Sequence, residues 1–291
     1  MKRYKLLSLF AVILFTASQT VNAQSITVPD TLDGWKTSWL ANLNGAQAAY
    51  SNWAAGGVNS LSGNATTVYT SIYRQNKFGY AFRVNLKYGQ SKIENEGVRK
   101  TDDLILIRNQ FTYKISNDGK WAALGGIHIQ TQFDDGFEFA DNDTDPDVLV
   151  SKFLAPLYLI ESAGIEYRPA PNLAADLGLG LKQTIVRDTT LADRYGVDAG
   201  EKFRSEAGLT FGLSYEKEVA TNILYTGSFS SFSNFKLPLS STDLFWSNEL
   251  VGQINSIVSA SLQFELRYDD DFSNEVQLKQ VLSAGVSVSL Y

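Results

Sequence analysis

Phe78-Gly79-Tyr80-Ala81-Phe82-Arg83-Val84-Asn85-Leu86-Lys87-Tyr88 alternates without a break. Every even position is aromatic or aliphatic, and the odd positions are Gly79, Ala81, Arg83, Asn85 and Lys87. A period of two puts successive side chains on opposite faces of a strand, one apolar and one polar. Eleven residues is about twice an ordinary strand, but it suits a strand that crosses a bilayer at a tilt. The same alternation returns from Phe203 to Tyr215, with Leu209 and Phe211 on the apolar face, and from Val258 to Tyr268. It returns again from Val281 to the final Tyr291, which falls out of step on the serine face.

Working outward, the connections alternate in length. Short turns are expected at 74–77, 116–119, 169–172, 218–221 and 253–256, where Asn-Asp-Gly and Pro-Asn supply tight-turn chemistry. Long loops are expected at 49–58, 90–101, 134–151, 187–201, 234–241 and 269–275. Outer-membrane barrels have short periplasmic turns and longer outside loops. Six long and five short connections join about twelve strands, and an even count leaves both termini in the periplasm. Aromatic residues cluster beside the short turns (Tyr73, Phe78, Tyr113, Trp121, Tyr167, Tyr215, Tyr225) and near the long loops (Tyr88, Phe133, Phe153, Phe203, Tyr268). Two interfacial girdles follow from rings with an apolar body that tolerate a wet edge. The expected fold is all-β: a single transmembrane antiparallel up-and-down β-barrel. A soluble sandwich or lipocalin-type barrel explains neither the strand length nor the loop alternation.

The ends of the chain agree with export. Lys2, Arg3 and Lys5 precede an apolar run from Leu6 to Thr16, and Val21-Asn22-Ala23 offers a cleavage site. The expected division is a signal peptide at 1–23, an N-terminal periplasmic segment at 24–34 and the outer-membrane barrel at 35–291. Cleavage removes three positive charges and takes the net charge from -6 to -9. So acidic a chain is a poor nucleic-acid binder. It has no cysteine, hence no disulfide and no thiolate metal site.

Six stretches then point to a family. They are Tyr50-Ser51-Asn52-Trp53-Ala54-Ala55-Gly56-Gly57, Arg99-Lys100-Thr101-Asp102-Asp103, Thr131-Gln132-Phe133, Phe153-Leu154-Ala155-Pro156, Arg204-Ser205-Glu206 and Tyr268-Asp269-Asp270-Asp271. Together they resemble a family of Gram-negative outer-membrane β-barrels known only as a domain of unknown function. The resemblance spans nearly the whole mature chain. It implies the barrel fold and the outer-membrane location, and no activity.

Where chemistry resides is less legible. Alternation turns Arg83, Lys87, Arg108, His128, Lys182, Arg204, Glu206, Glu265 and Arg267 toward the lumen, with Glu166. Lumenal charges need water or a partner, so an open or gated pore and a plugged lumen of ion pairs both satisfy them. Arg204 with Glu206, and Glu265 with Arg267, lie two apart on one face and suit pairing. Inward glycines (Gly79, Gly178, Gly180, Gly208, Gly212) remove side-chain volume. His128 is the only histidine. A barrel-rim hydrolase would need it as general base beside a serine, but no serine carries a nucleophile motif. Asp141, Asp143 and Asp145 alternate as Ca²⁺ ligands do but lack the Gly and Glu of an EF-hand. Trp53, flanked by small residues, suits either a constriction loop or an interface anchor. The leading expectation is a passive or gated pore for small solutes without a cofactor. The alternatives are a structural or assembly barrel acting through its loops and the rim hydrolase. Expected partners are outer-membrane lipid, lipopolysaccharide and the barrel-assembly machinery, the last through the C-terminal strand.

Overall fold

The computed structural model describes residues 26–49, 58–94, 96–140, 146–269, 271 and 273–290. The signal segment, Trp53, the Asp141-Asp143-Asp145 triplet and Tyr291 lie outside the described residues. Five strands come first: β1 (Gly34–Ala48), β2 (Ser60–Gln75), β3 (Phe78–Ile93), β4 (Gly97–Lys114) and β5 (Trp121–Thr131). A small hairpin follows, β6 (Gly136–Glu138) and β7 (Val148–Ser151). Then come β8 (Leu157–Ala170), β9 (Leu173–Ile185), β10 (Phe203–Ala220), β11 (Ile223–Asn234), β12 (Asp243–Gln253), β13 (Val258–Asp269) and β14 (Ser273–Ser289). All but β6 and β7 form one closed antiparallel barrel of twelve strands, each beside its neighbour in sequence, with β1 closing on β14.

Closure follows from the alternation. With one apolar face per strand, a barrel turns every apolar face to lipid, leaves no sheet edge, and keeps the polar faces together inside. Leu43, Leu179 and Leu282 stand 62, 63 and 80% exposed on the outer surface. On the inside, Ala81, Gln130, Thr184 and Glu206 are buried. The outward aromatics form a belt beside the short turns: Trp35 on Tyr73 (4.8 Å), Tyr80 on Phe111 (5.1 Å), Trp121 on Tyr167 (4.5 Å) and Tyr215 on Tyr225 (5.9 Å). Tyr88 and Phe133 meet edge to face near the opposite rim. An apolar exterior between two aromatic belts on a closed twelve-stranded barrel is an outer-membrane protein.

The short turns stand where expected. Asn76 and Asn222 take positive φ (53° and 63°) in their tight hairpin turns, a conformation asparagine tolerates. Two of the expected long loops do not exist as loops. Strands β3 and β4 run on through Ser91↔Arg99 and Ile93↔Gly97, so the stretch 90–101 is mostly ladder. Likewise β13 reaches Asp269 and β14 begins at Ser273. Above the membrane both strand faces meet water, so the polarity alternation lapses while the backbone pairing continues.

Candidate functional site

The register turns the inward face of each strand into rungs that climb around the barrel. One rung runs Thr70–Arg83–Arg108–His128–Ile160–Lys182–Glu206 across seven strands. Lys87, Arg204, Glu265 and Arg267 share the inward face with it. Glu166 lies on the inward face of β8, opposite Asp176, so all ten charged or histidine positions named for the lumen face it.

The lumen walls differ in sign. On β1 to β5 the inward faces carry Lys36, Arg74, Arg83, Lys87, Arg108 and Lys114, and among the described residues a single carboxylate, Asp102. On β8 to β13 they carry Glu166, Asp176, Glu206, Glu216, Asp243, Glu249, Glu265 and Asp269. The basic residues of that acidic wall are each paired. Arg168 meets Glu166 at 3.0 Å, Lys182 meets Asp243 at 2.6 Å, Arg204 meets Glu206 at 2.7 Å and Asp271 at 2.8 Å, and Arg267 meets Asp269 at 2.7 Å. Arg267 thus takes Asp269 rather than Glu265, whose carboxylate accepts from Gln263 at 2.6 Å. The expected Glu265–Arg267 pair gives way because an acid on the other side of Arg267 occupies the same face.

The glycines do not widen the lumen. The Phe232 ring lies against Gly180 and Gly208, and the Asp176 carboxylate lies against Gly212, in space that a Cβ would contest. His128 is buried on the inward wall, with Arg108 and Ile160 as its cross-strand neighbours.

The periplasmic mouth is filled by the chain's own N-terminal segment. Ile26 and Val28 are buried against the inward Ile72 and Ala81, with Leu32 beside them. The Ile26 amide donates to Gln110 Oε1 (2.7 Å). The Arg74 guanidinium donates to the carbonyls of Val28 (2.7 Å) and Pro29 (2.9 Å). Asp30 takes ion pairs from Arg74 (3.3 Å) and Lys114 (2.6 Å). Nothing in the sequence marks this segment as a plug, because the hydrogen bonds that tie it to the barrel wall span 45 to 84 positions.

The outer mouth is covered by the β5–β8 and β9–β10 connections. Leu191, Ala192, Tyr195 and Val197 from the second pack on Ala155, Tyr158 and Val186. The Tyr195 hydroxyl donates to Val150 O (2.6 Å), and burial pushes its ionisation up to about 12. Two one-turn 3-10 helices, Thr189–Leu191 and Asp193–Tyr195, shape the second connection. Asp188 caps the first: the Thr190 hydroxyl, then Lys152 at 3.1 Å, hold its carboxyl below the usual range.

Five of the six family stretches converge on this cover. Asp103 accepts from the amides of Phe133 and Asp134 (2.7 and 3.0 Å). Gln132 donates to Ala155 O (2.9 Å), and the Thr131 hydroxyl to Pro156 O (2.9 Å). Arg204 reaches Asp271 and the Gly196 carbonyl. The sixth stretch, 50–57, lies outside the described residues.

Comparison with known proteins gives one family match and several likenesses among solved structures. Residues 46–137 match the family described as "Protein of unknown function (DUF3078)". Among solved structures, the chain is similar to the translocator domain of the autotransporter NalP from Neisseria meningitidis, at 10% identity over 89% of each chain and a TM-score of 0.40. It is similar to an outer membrane channel from Pseudomonas putida F1 at 8% identity, covering 91% of this chain and 99% of the other, with a TM-score of 0.41. It is also similar to the NanC porin at 6% identity, covering 87% and 97%, with a TM-score of 0.36. No curated protein matches by sequence. The chain is an outer-membrane β-barrel whose residues 46–137 match a family of unknown function, the kind of family its motifs resemble.

Proposed function

We propose that the barrel is a gated pore for small polar solutes, with its N-terminal segment as the gate. The observation that carries the reading is the opposition of a basic wall (Arg83, Lys87, Arg108) to an acidic one (Asp176, Glu216, Glu249, Glu265). Charges of opposite sign facing each other across a low-dielectric tube set up a transverse field, which holds water and orients charged or dipolar solutes. A lumen built only to be filled would do better with apolar side chains, because each buried charge costs desolvation. The gate is small and tied mainly by Arg74, Lys114 and Gln110.

The test is conductance in a planar bilayer. The mature chain is expected to open rarely. Deletion of residues 24–30, or the milder Arg74→Ala, is expected to give sustained steps. Silence from all three would sink the reading. It would favour a non-conducting structural barrel, which the ion pairs and cover at the outer mouth already suit. In that case the outer loops and the lipid-facing surface would hold its partners, lipopolysaccharide among them.

A further inference from the structure

The β11–β12 connection departs from the pattern of the outer mouth. The β5–β8 and β9–β10 connections fold over the mouth, and there Leu191, Tyr195 and Val197 are buried. Between β11 and β12, Asn234-Phe235-Lys236-Leu237-Pro238-Leu239 leads into the one-turn 3-10 helix Leu239–Ser241. Here Phe235, Leu237 and Leu239 remain 59, 38 and 85% exposed. Three large apolar side chains within five residues are unfavourable in water and mark a contact surface.

The register says what lies beside them. The Phe235 amide donates to Ala207 O (3.0 Å), one step beyond Leu209↔Ser233, so Phe235 stands on the outward face with Ala207 and Leu209. The Ser233 and Thr242 hydroxyls meet at 3.0 Å and close the base of the connection. The β9–β10 ladder runs on to Ile185↔Phe203, whereas the β11–β12 ladder stops at Phe232↔Asp243. The connection therefore leaves the sheet beside Ala207, four residues below the outward Phe203, or about 13 Å along the strand. At that height the outer surface of the barrel meets lipid, and the exposed side chains continue that surface. Charge agrees with an anionic leaflet. The stretches 134–151, 187–201 and 269–275 each carry several carboxylates, but Asn234 to Thr242 carries none. Its one charged residue, Lys236, forms no ion pair among the described residues.

We propose that the β11–β12 connection docks on the lipopolysaccharide leaflet, with Phe235, Leu237 and Leu239 among its acyl chains and Lys236 at a phosphate. Apolar side chains gain by leaving water, and a lysine beside an anionic surface adds attraction. The short β11–β12 hairpin makes a notch in the rim, and the connection fills it from the lipid side. The inference rests on the outer-membrane location and not on the pore reading.

The chain has no cysteine, so a single fluorescent label can be placed by one substitution. The test reconstitutes the mature protein in nanodiscs of phosphatidylcholine, with or without lipopolysaccharide, and labels Leu239→Cys with bimane. Reference labels stand on Leu209→Cys, which faces lipid, and on Ala199→Cys, exposed in the β9–β10 connection. With lipopolysaccharide present, aqueous iodide should quench the label at 239 about tenfold less than the label at 199, the preference of one leucine side chain for an apolar medium. Protection should be weaker in phosphatidylcholine alone. Lys236→Gln should raise quenching at 239 by about threefold in discs with lipopolysaccharide and leave it unchanged without. Quenching at 239 equal to that at 199 in both discs would overturn the docking and point to a protein partner or a second copy of the chain. Protection that is equal in the two discs and indifferent to Lys236→Gln would overturn lipopolysaccharide as the lipid, since any bilayer would then serve. None of these readouts uses conductance, so their failure and that of the pore reading are separable.

Discussion

Leu209 and Thr210 are neighbours in sequence and face opposite media: Leu209 is 40% exposed on the outside of β10, and Thr210 is 8% exposed inside. A pleated strand leaves no intermediate choice, so the cost of a substitution depends on the parity of its position. Leu209→Arg puts a charge among lipid chains, at an expected cost of about 2–4 kcal/mol near the midplane. Folding yield into lipid vesicles should fall accordingly, while Thr210→Arg, on the other parity, should fold. Equal yields would mean that the faces are assigned the wrong way round. Residue-scale reasoning also explains why the sequence showed which charges turn inward but not their partners. Arg204 and Glu206 are two apart and their 2.7 Å pair was legible. The 2.6 Å contact of Lys182 with Asp243 spans sixty-one positions and joins strands that are not neighbours. No pattern within one strand encodes it.

At the scale of elements, legibility followed the membrane. Strand β3 was readable to Tyr88 because lipid on one face and lumen on the other impose alternation. Past Tyr88 the ladder to Ile93 obeys hydrogen bonding alone. The cover at the outer mouth was hidden for a different reason. Its family stretches were recognisable one by one, yet the contacts of Gln132 with Ala155 and of Asp103 with Phe133 depend on strand order around the barrel. This cover should respond to acid. The Asp188 carboxyl is held below its usual range by the Thr190 hydroxyl and by Lys152. A depressed pKa contributes stability above the unfolded value, about 3.9, that is lost as pH falls through the folded value. Hydrogen exchange in residues 186–202, corrected for intrinsic rate, should therefore accelerate as pH drops below about 4. Asp188→Asn should remove that dependence. A profile unchanged by the substitution would assign the acid response to another group.

For the whole molecule the decisive contact is the closure of β1 on β14. Among the described residues it pairs five, from Leu40↔Ser289 to Asn44↔Gly285, with one further bond from the Leu290 amide to Trp39 O (2.8 Å), whereas β1 pairs fifteen with β2 and β3 pairs sixteen with β4. An apolar groove lined by Ala41, Leu43, Ala65, Val286 and Val288 runs along the outer side of this short seam. Closure also joins the two ends of the chain, so it carries the largest loop entropy of any ladder here. A short ladder with a large entropic cost is where the barrel should open first. The chain has no cysteine, so Asn42→Cys with Ser287→Cys would place one disulfide across the seam. Opposed Cα atoms in an antiparallel pair lie about 4.5–5.5 Å apart, within disulfide reach. A matched control is Ser261→Cys with Ser283→Cys, across the β13–β14 hairpin, where the two hydroxyls already meet at 2.8 Å. On chain entropy alone the seam bond is worth about 5 kcal/mol and the hairpin bond about 3. The unfolding rate separates the mechanism from that entropy. If the seam parts in the rate-limiting step, the oxidised seam variant should unfold far more slowly than its reduced form, because the bond blocks the opening itself. The oxidised hairpin variant should unfold at nearly the rate of its reduced form. Equal slowing by the two bonds would mean that the barrel comes apart elsewhere, and that its shortest ladder is not its weakest.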